Sequence, residues 1–341
     1  VNAPLLAVTL GDPAGIGPEI TARALATAEA RDSARPLAVG DAGVLRRAAA
    51  VCGLDVRVNP VARPAEAAFE PGVIDVLDIG VAPDDLPWGQ VDATAGRAAV
   101  RAIETATAAA RAGEVDGIVT APINKESIWA AGSQHLGHTE MLGELTGSDR
   151  FNTMFWVSGL RIFFATRHRS LRQAVDDLTA DTVRHSIREA YTALEIFGAE
   201  RPRLAVAALN PHGGEGGKFG DEEITAIEPA VRAAVEAGLD VVGPIPADSV
   251  FHQGLQGRFD GVLSLYHDQG HIAAKTYDYN GTVSVTVGLP VLRTSVDHGT
   301  AFDIAGTGKA DPATMEAALR AGVELAPFAD RLRTAYPPKS A

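Results

Sequence analysis

Short apolar runs rich in β-branched residues recur along the chain, at Leu5–Leu10, Pro36–Val39, Val73–Leu77, Gly117–Thr120, Met154–Val157, Arg161–Thr166, Leu204–Ala207, Val262–Tyr266 and Val283–Val287. Each is strand-sized, and each is followed by polar or turn-forming residues. Between them lie longer alanine-rich stretches, Ala93–Ala112, Ala180–Phe197, Asp221–Ala237 and Pro312–Phe328, whose apolar residues recur with a helical period. Strand-then-helix alternation predicts an α/β fold of three layers, a mainly parallel sheet with helices on both faces. In such folds ligands collect at the carboxyl ends of the strands. The segment Asn59–Pro71, rich in proline and alanine, reads as a surface excursion.

The 341 residues suffice for two α/β lobes, and no linker cleanly cuts the chain. The lobes are therefore expected to interleave, residues 1–130 with 288–341 forming one and residues 131–287 the other. The formal net charge of −13 argues against a general nucleic-acid or anionic-membrane binder, because the long-range field repels polyanions. It leaves room for a small anion in a local basic pocket. The single cysteine, Cys52, excludes an intrachain disulfide and a cysteine-cluster metal site. With no apolar run of spanning length, the chain reads as soluble and cytoplasmic.

The chemistry concentrates where predicted strands stop. "RIFFATRH" ends at His168, "LAVAALNPH" at His212 and "VLSLYH" at His267. One histidine after a strand is more often a loop residue, but three of nine in matching positions form a candidate metal-ligand set. His212 opens "NPHGGEGGKFG", whose five glycines permit sharp turns and close approach of backbone N–H groups to a ligand. "GHTE" reads as a helix start, with His138 and Thr139 placed for a phosphate or carboxylate and Thr139 able to cap. Lys125 is either a second anion contact or a solvated charge, and Asp248 either a substrate contact or a simple N-cap. "TLGDPAGIGPEI" is neither the dinucleotide fingerprint nor a Walker loop, so Asp12 and Glu19 are read as shaping the turn and the first helical turn. Between Gly288 and Pro312, Arg293, Asp297, His298 and Asp303 lie among glycines with no clear period, a pattern common in functional segments.

Six motifs, "GDPAGIGPE", "TAPINK", "GHTE", "LNPHGGEGG", "YHDQG" and "RTSVDHGTAFDIAGTGKAD", stand in the order found in the 4-hydroxythreonine-4-phosphate dehydrogenases of vitamin B6 biosynthesis, and the chain resembles that family over nearly its whole length. The stretch "DHGTAFDIAGTGKADP" also resembles the cofactor loop of the wider isocitrate and isopropylmalate dehydrogenase superfamily. The resemblance implies that fold, two lobes with a cleft between them, and NAD (NADP being the alternative) held by His298, Gly299, Asp303 and Gly306. It implies metal ligation by His168, His212 and His267, shared between the subunits of a homodimer. Zinc, cobalt or nickel would suit three imidazoles, and added substrate oxygens would admit manganese or magnesium.

Substrate contacts carried over from the family fall on His138, Thr139, Lys275 and Arg293. A further one falls on Ser284, where the family has an asparagine. Lys275 is an anion contact or a proton-transfer group, and Asp268 the partner that orients an imidazole. Arg167 and Arg169 flank His168 where the vitamin B6 enzymes carry small residues, and His271 in "HDQGH" resembles a branch acting on threonate or erythronate 4-phosphate. The implied reaction is oxidation and decarboxylation of a 4-phosphorylated 3-hydroxy acid. The competing readings are a cis-dihydrodiol dicarboxylate dehydrogenase of aromatic degradation and a phosphate acyltransferase-like enzyme.

Overall fold

The computed structural model describes residues 3–337. Its strands run in chain order as β1 (Leu5–Thr9), β2 (Arg35–Gly40), β3 (Arg57–Val61), β4 (Val73–Asp78), β5 (Gly117–Thr120), β6 (Asn152–Val157), β7 (Leu160–Phe164), β8 (Leu204–Ala207), β9 (Val241–Ile245), β10 (Gly261–Ser264), β11 (Val283–Val287) and β12 (Arg293–Ser295). The chain forms two compact units, one comprising the residues up to Phe151 and from Val283 onward, the other Asn152–Thr282.

In the first unit the strand order is β3-β4-β2-β1-β5-β12-β11. Every neighbouring pair is parallel except β11 with β12. Leu5 and Ala7 of β1 pack with the buried face of helix Ala93–Ala112, through Ala99, Ala102, Ile103 and Ala106. Leu6 points the other way, towards Gly322 of helix Ala313–Leu325, where a Cβ would lie 3.1 Å from Leu6 Cδ1. Because successive strand residues face opposite sides, a helix layer covers each face. The Ala93–Ala112 helix has both of its ends written in sequence. Asp92 Oδ1 accepts from the Thr94 and Ala95 amides at 2.6 and 3.0 Å, and Gly113 closes the helix at φ 73°. Such a cap contributes about 1 kcal/mol.

The second unit has the order β6-β7-β10-β8-β9. β6 and β7 form an antiparallel hairpin, and β7, β10, β8 and β9 run parallel. The helices Ala180–Ile196 and His267–Tyr277 take opposite faces: Leu194 of the first approaches Gly261 beside Phe163, and Gly270 of the second lies on Ile162 and Phe164.

The unit boundaries fall at 151/152 and 282/283 rather than 130/131 and 287/288. Packing explains the shift. Met141 and Leu142 of helix His138–Thr146 are buried in the core that holds Ala93–Ala112, and Arg111 donates to the Leu145 carbonyl at 2.8 Å. β11 is paired with β12. Three strands were absent from the sequence reading: β3, which overlaps the start of the expected surface excursion, β9, and β12, which lies in the segment that showed no clear period. β3 and β9 each contain a proline, Pro60 and Pro244, and each ends its unit's strand order, where a missing N–H breaks no ladder. The expected helix Asp221–Ala237 is a π-helical turn, Glu223–Ile227, followed by helix Glu228–Glu236. Among the described residues no helix is long and apolar enough to cross a membrane.

Candidate active site

In the second unit, β7, β10 and β8 are adjacent and parallel, so the segments carrying His168, His267 and His212 leave the same edge of the sheet. His267 is not a loop residue but the first residue of helix His267–Tyr277. Two neighbours explain why the helix begins there. Gln269 is buried, its Oε1 accepting from the Leu265 amide at 2.7 Å and its Nε2 donating to the Ala208 carbonyl at 2.8 Å, which ties the first turn to the ends of β10 and β8. At Gly270 a Cβ would come within 2.5 Å of Phe164 Cε1 and 2.7 Å of Ser264 Oγ, so glycine lets the helix lie against the sheet.

His267 Nδ1 lies 2.7 Å from Asp268 Oδ1. The carboxylate accepts the Nδ1 proton and leaves the lone pair on Nε2, the tautomer that metal ligation requires. The ring of His168 stands 6.0 Å from that of His267, centroid to centroid. Of the flanking arginines, Arg167 donates to the Thr153 hydroxyl and Arg169 pairs with Asp177 at 3.4 Å. Lys275 is half-buried, further along the His267 helix, with Nζ 5.4 Å from the centre of the Tyr279 ring.

His212 sits in a left-handed run, with φ between 47° and 78° from His212 through Gly216. Two of these residues, His212 and Glu215, are not glycine, and each such position costs about 1–2 kcal/mol. The entry to the run is fixed by Glu223, only 1% exposed, which accepts from the Leu209 and Asn210 amides at 2.8 and 2.7 Å and from Asn210 Nδ2 at 2.8 Å. The run holds His212 exposed, with Nδ1 3.8 Å from Glu215. Among the described residues no three His, Cys, Asp or Glu side chains are gathered to hold a metal ion. The fold thus brings His168 and His267 together but does not add His212 to them within one chain. The two gathered imidazoles, with His267 held in the ligating tautomer, fit a divalent cation.

In the first unit, helix His138–Thr146 starts after Gly137 with no side-chain cap, so Thr139 lies inside the first turn rather than capping it. The first-turn N–H groups are left to a ligand or solvent. His138 Nε2 is enclosed and has no hydrogen-bond partner. Burial, aided by the nearby Arg293 charge, holds the His138 pKa well below its ordinary value of 6.5, so the ring is neutral at pH 7. Arg293 is 5% exposed on β12. Its Nε and Nη2 donate to Thr120 Oγ1 at 3.1 and 2.8 Å, and its Nη1 to Thr286 Oγ1 at 3.0 Å. Burial lowers its pKa to about 10, opposed by Asp297 and Glu140, so it remains a cation. Ser284 is buried on β11, opposite Ser295.

Thr120 and Thr286 were not foreseen; nothing local marks a threonine whose partner arrives from another strand. Lys125 is exposed at the start of helix Lys125–Ala130, which Asn124 caps. Asp248 stands exposed in the first turn of helix Ala247–Leu255 and does not cap it.

His298, Gly299, Asp303 and Gly306 lie on the irregular segment between β12 and helix Ala313–Leu325. His298 Nδ1 donates to the Gly299 carbonyl at 3.0 Å, and its Nε2 accepts from the Thr314 hydroxyl at 2.8 Å. Apart from Gly299 and its chain neighbours, no heavy atom lies within 4 Å of where a Cβ on Gly299 would stand, and Asp303 is exposed. An open backbone position and, four residues on, an exposed carboxylate, the usual acceptor for ribose hydroxyls, are groups that fit a dinucleotide.

By its fold and its relatives the chain is an α/β dehydrogenase, an oxidoreductase acting on a CH–OH group. More particularly, the chain belongs to the family described as pyridoxal phosphate biosynthetic protein PdxA, whose model matches residues 32–322. It is 56% identical over 341 residues, 99% of both chains, to a Cutibacterium acnes protein named "Putative D-threonate 4-phosphate dehydrogenase". A crystal structure of 4-hydroxythreonine-4-phosphate dehydrogenase from Klebsiella pneumoniae is similar at 43% identity and a TM-score of 0.87, covering 95% of this chain and 100% of that one. A terephthalate 1,2-cis-dihydrodiol dehydrogenase from Burkholderia xenovorans is similar at 33% identity and a TM-score of 0.64, covering 95% and 98%.

Proposed function

We infer that this enzyme oxidises a 4-phosphorylated 3-hydroxy acid with NAD, with NADP as the alternative acceptor, and a divalent metal ion, threonate 4-phosphate being the favoured substrate, and that oxidation is followed by loss of carbon dioxide. The observation that carries the reading is the anion site of the first unit: a buried cationic Arg293 beside a neutral His138 whose Nε2 is enclosed and unsatisfied. A buried polar atom without a partner costs free energy that a bound anion would recover. Arg293, fixed by two threonines, offers a rigid charge suited to phosphate or carboxylate. His138 donates a neutral hydrogen bond from Nε2, and the first-turn amides beside Thr139 complete the grip.

Threonate is favoured over the aminated substrate by the name of the 56% identical relative and by Ser284, which lacks the paired donor and acceptor of an asparagine. His168 and His267 would hold the metal, with His212 contributed by a second copy of the chain in a homodimer. A divalent ion supplies Lewis acidity that lowers the pKa of the substrate alcohol. Oxidation sends a hydride from the carbinol carbon to NAD and a proton from the hydroxyl to solvent; the β-keto acid then breaks its bond to the carboxyl carbon, releasing carbon dioxide, and the new carbanion takes a proton from Lys275 Nζ or solvent. Asp268 keeps His267 in one tautomer throughout.

The test is NADH production with divalent metal on a panel of threonate 4-phosphate, erythronate 4-phosphate, 4-phosphohydroxythreonine and a dihydrodiol dicarboxylate. Turnover of threonate 4-phosphate that stops on chelation is the expected result. Turnover of the dihydrodiol alone would replace this reading with one in aromatic degradation.

A further inference from the structure

Glu19 is a carboxylate only 1% exposed on helix Gly17–Ala26, far along the chain from any residue assigned to the reaction. Its two oxygens are committed to one partner segment. Oε1 accepts from the Gly306 amide at 2.5 Å and Oε2 from the Gly308 amide at 2.8 Å. One turn later, Arg23 donates to the Gly308 carbonyl.

The same segment is pinned elsewhere by backbone and shape. The Ile16 amide donates to the Thr300 carbonyl at 3.0 Å. Gly306 and Gly308 have φ of 79° and 68°, and a Cβ on Gly306 would collide with the Trp88 ring at 1.5 Å. Trp88 is itself covered by the Arg47 guanidinium, 4.3 Å from its ring. A charged group is buried at a cost of several kcal/mol unless its hydrogen bonds are met, and here two backbone amides meet them. The first helix is therefore a mould for the irregular loop.

We propose that Glu19 is a positioning residue for the nicotinamide dinucleotide. By holding the Gly306 and Gly308 amides it fixes the backbone of the loop that presents His298, Gly299 and Asp303, so that this edge is formed before the dinucleotide arrives. A preformed loop spares the ordering cost that binding would otherwise carry. The proposal rests on the reading of this loop as the cofactor site, and its test separates the two.

The full-length protein is titrated with NADH, following protein fluorescence, for the wild type and for Glu19→Gln, Glu19→Asp and Asp303→Ala, with thermal unfolding recorded in parallel. Glu19→Gln sets an amide N–H against a backbone N–H and is expected to raise the NADH Kd about tenfold, the equivalent of one lost buried acceptor. The KM for NAD rises with it, and the KM for the acid substrate stays put. Glu19→Asp keeps the charge but shortens the reach, giving a smaller rise in the same direction, and it decides the question where Glu19→Gln does not fold. If Asp303→Ala weakens NADH while both Glu19 variants bind it as the wild type does, with only a lowered melting temperature, Glu19 is a structural residue and the proposal is overturned. If neither Asp303→Ala nor the Glu19 variants change NADH affinity, the loop is not the dinucleotide site and both readings fall.

Discussion

The imidazole of His271 lies flat on that of His267, ring centroids 3.5 Å apart and planes within 13° of parallel. His271 is itself set by a 2.8 Å hydrogen bond from its Nδ1 to the His267 carbonyl and by ring contacts with Phe155 and Phe164. His267 is thus held on one face by a packed ring and at one edge by Asp268, and its remaining edge carries Nε2.

The Asp268 contact predicts a specific loss. Replacing Asp268 by Asn removes the charged acceptor that selects the His267 tautomer, and the affinity for zinc is expected to fall about 10- to 100-fold. Equilibrium dialysis of the purified variant measures this directly. Unchanged zinc affinity would remove Asp268 from the site.

The split between His212 and the other two imidazoles predicts complementation. Neither His212→Ala nor His267→Ala is expected to turn over alone. Mixed dimers of the two would contain one intact shared site, and roughly a quarter of wild-type activity should return after the subunits exchange. No recovery in verified mixed dimers would mean that each chain builds its site unaided.

Arg293→Lys keeps the charge but cannot hold Thr120 and Thr286 while also facing an anion. The KM for the phosphorylated substrate is expected to rise about tenfold, with weaker competition by inorganic phosphate. A KM within twofold of wild type would place the phosphate elsewhere.

His138 carries a pH signature whose sign follows from its lowered pKa. Below its ordinary value of 6.5 the unfolded chain takes up a proton that the folded chain refuses, so stability is full above pH 6.5 and falls as the pH drops through that value. His138→Gln should flatten this fall. Urea midpoints for the two proteins at several pH values between 7.5 and 5 provide the comparison, and parallel curves would show that His138 protonates freely in the folded state.

Ser284→Asn restores an amide with both donor and acceptor on β11. The ratio of kcat/KM for 4-phosphohydroxythreonine to that for threonate 4-phosphate is expected to rise. An unchanged ratio would show that position 284 does not discriminate.

Much of the frame was written locally. The strand at Leu5–Thr9 and the helix at Ala93–Ala112 follow from apolar period and from caps adjacent in the chain, Asp92 and Gly113. The positions of His168, His212 and His267 beyond strand ends were legible for the same reason, since an apolar run stops visibly. The two proline-bearing edge strands were not, because a proline within a short run argues against a strand unless the run lies at a sheet edge, and edge position is not a local property.

What the sequence determined by itself was the α/β alternation, the order of its elements and the residue types gathered near strand ends, all of which depend on contacts within a turn or two of the chain. Tertiary structure alone decided that Gly270 lets the His267 helix lie on Phe164, that Thr120 and Thr286 hold Arg293, and that Glu19 grips a loop nearly the whole chain away. Each of these joins groups distant in sequence, and burial, by removing water as a competing partner, is what gives such contacts their strength.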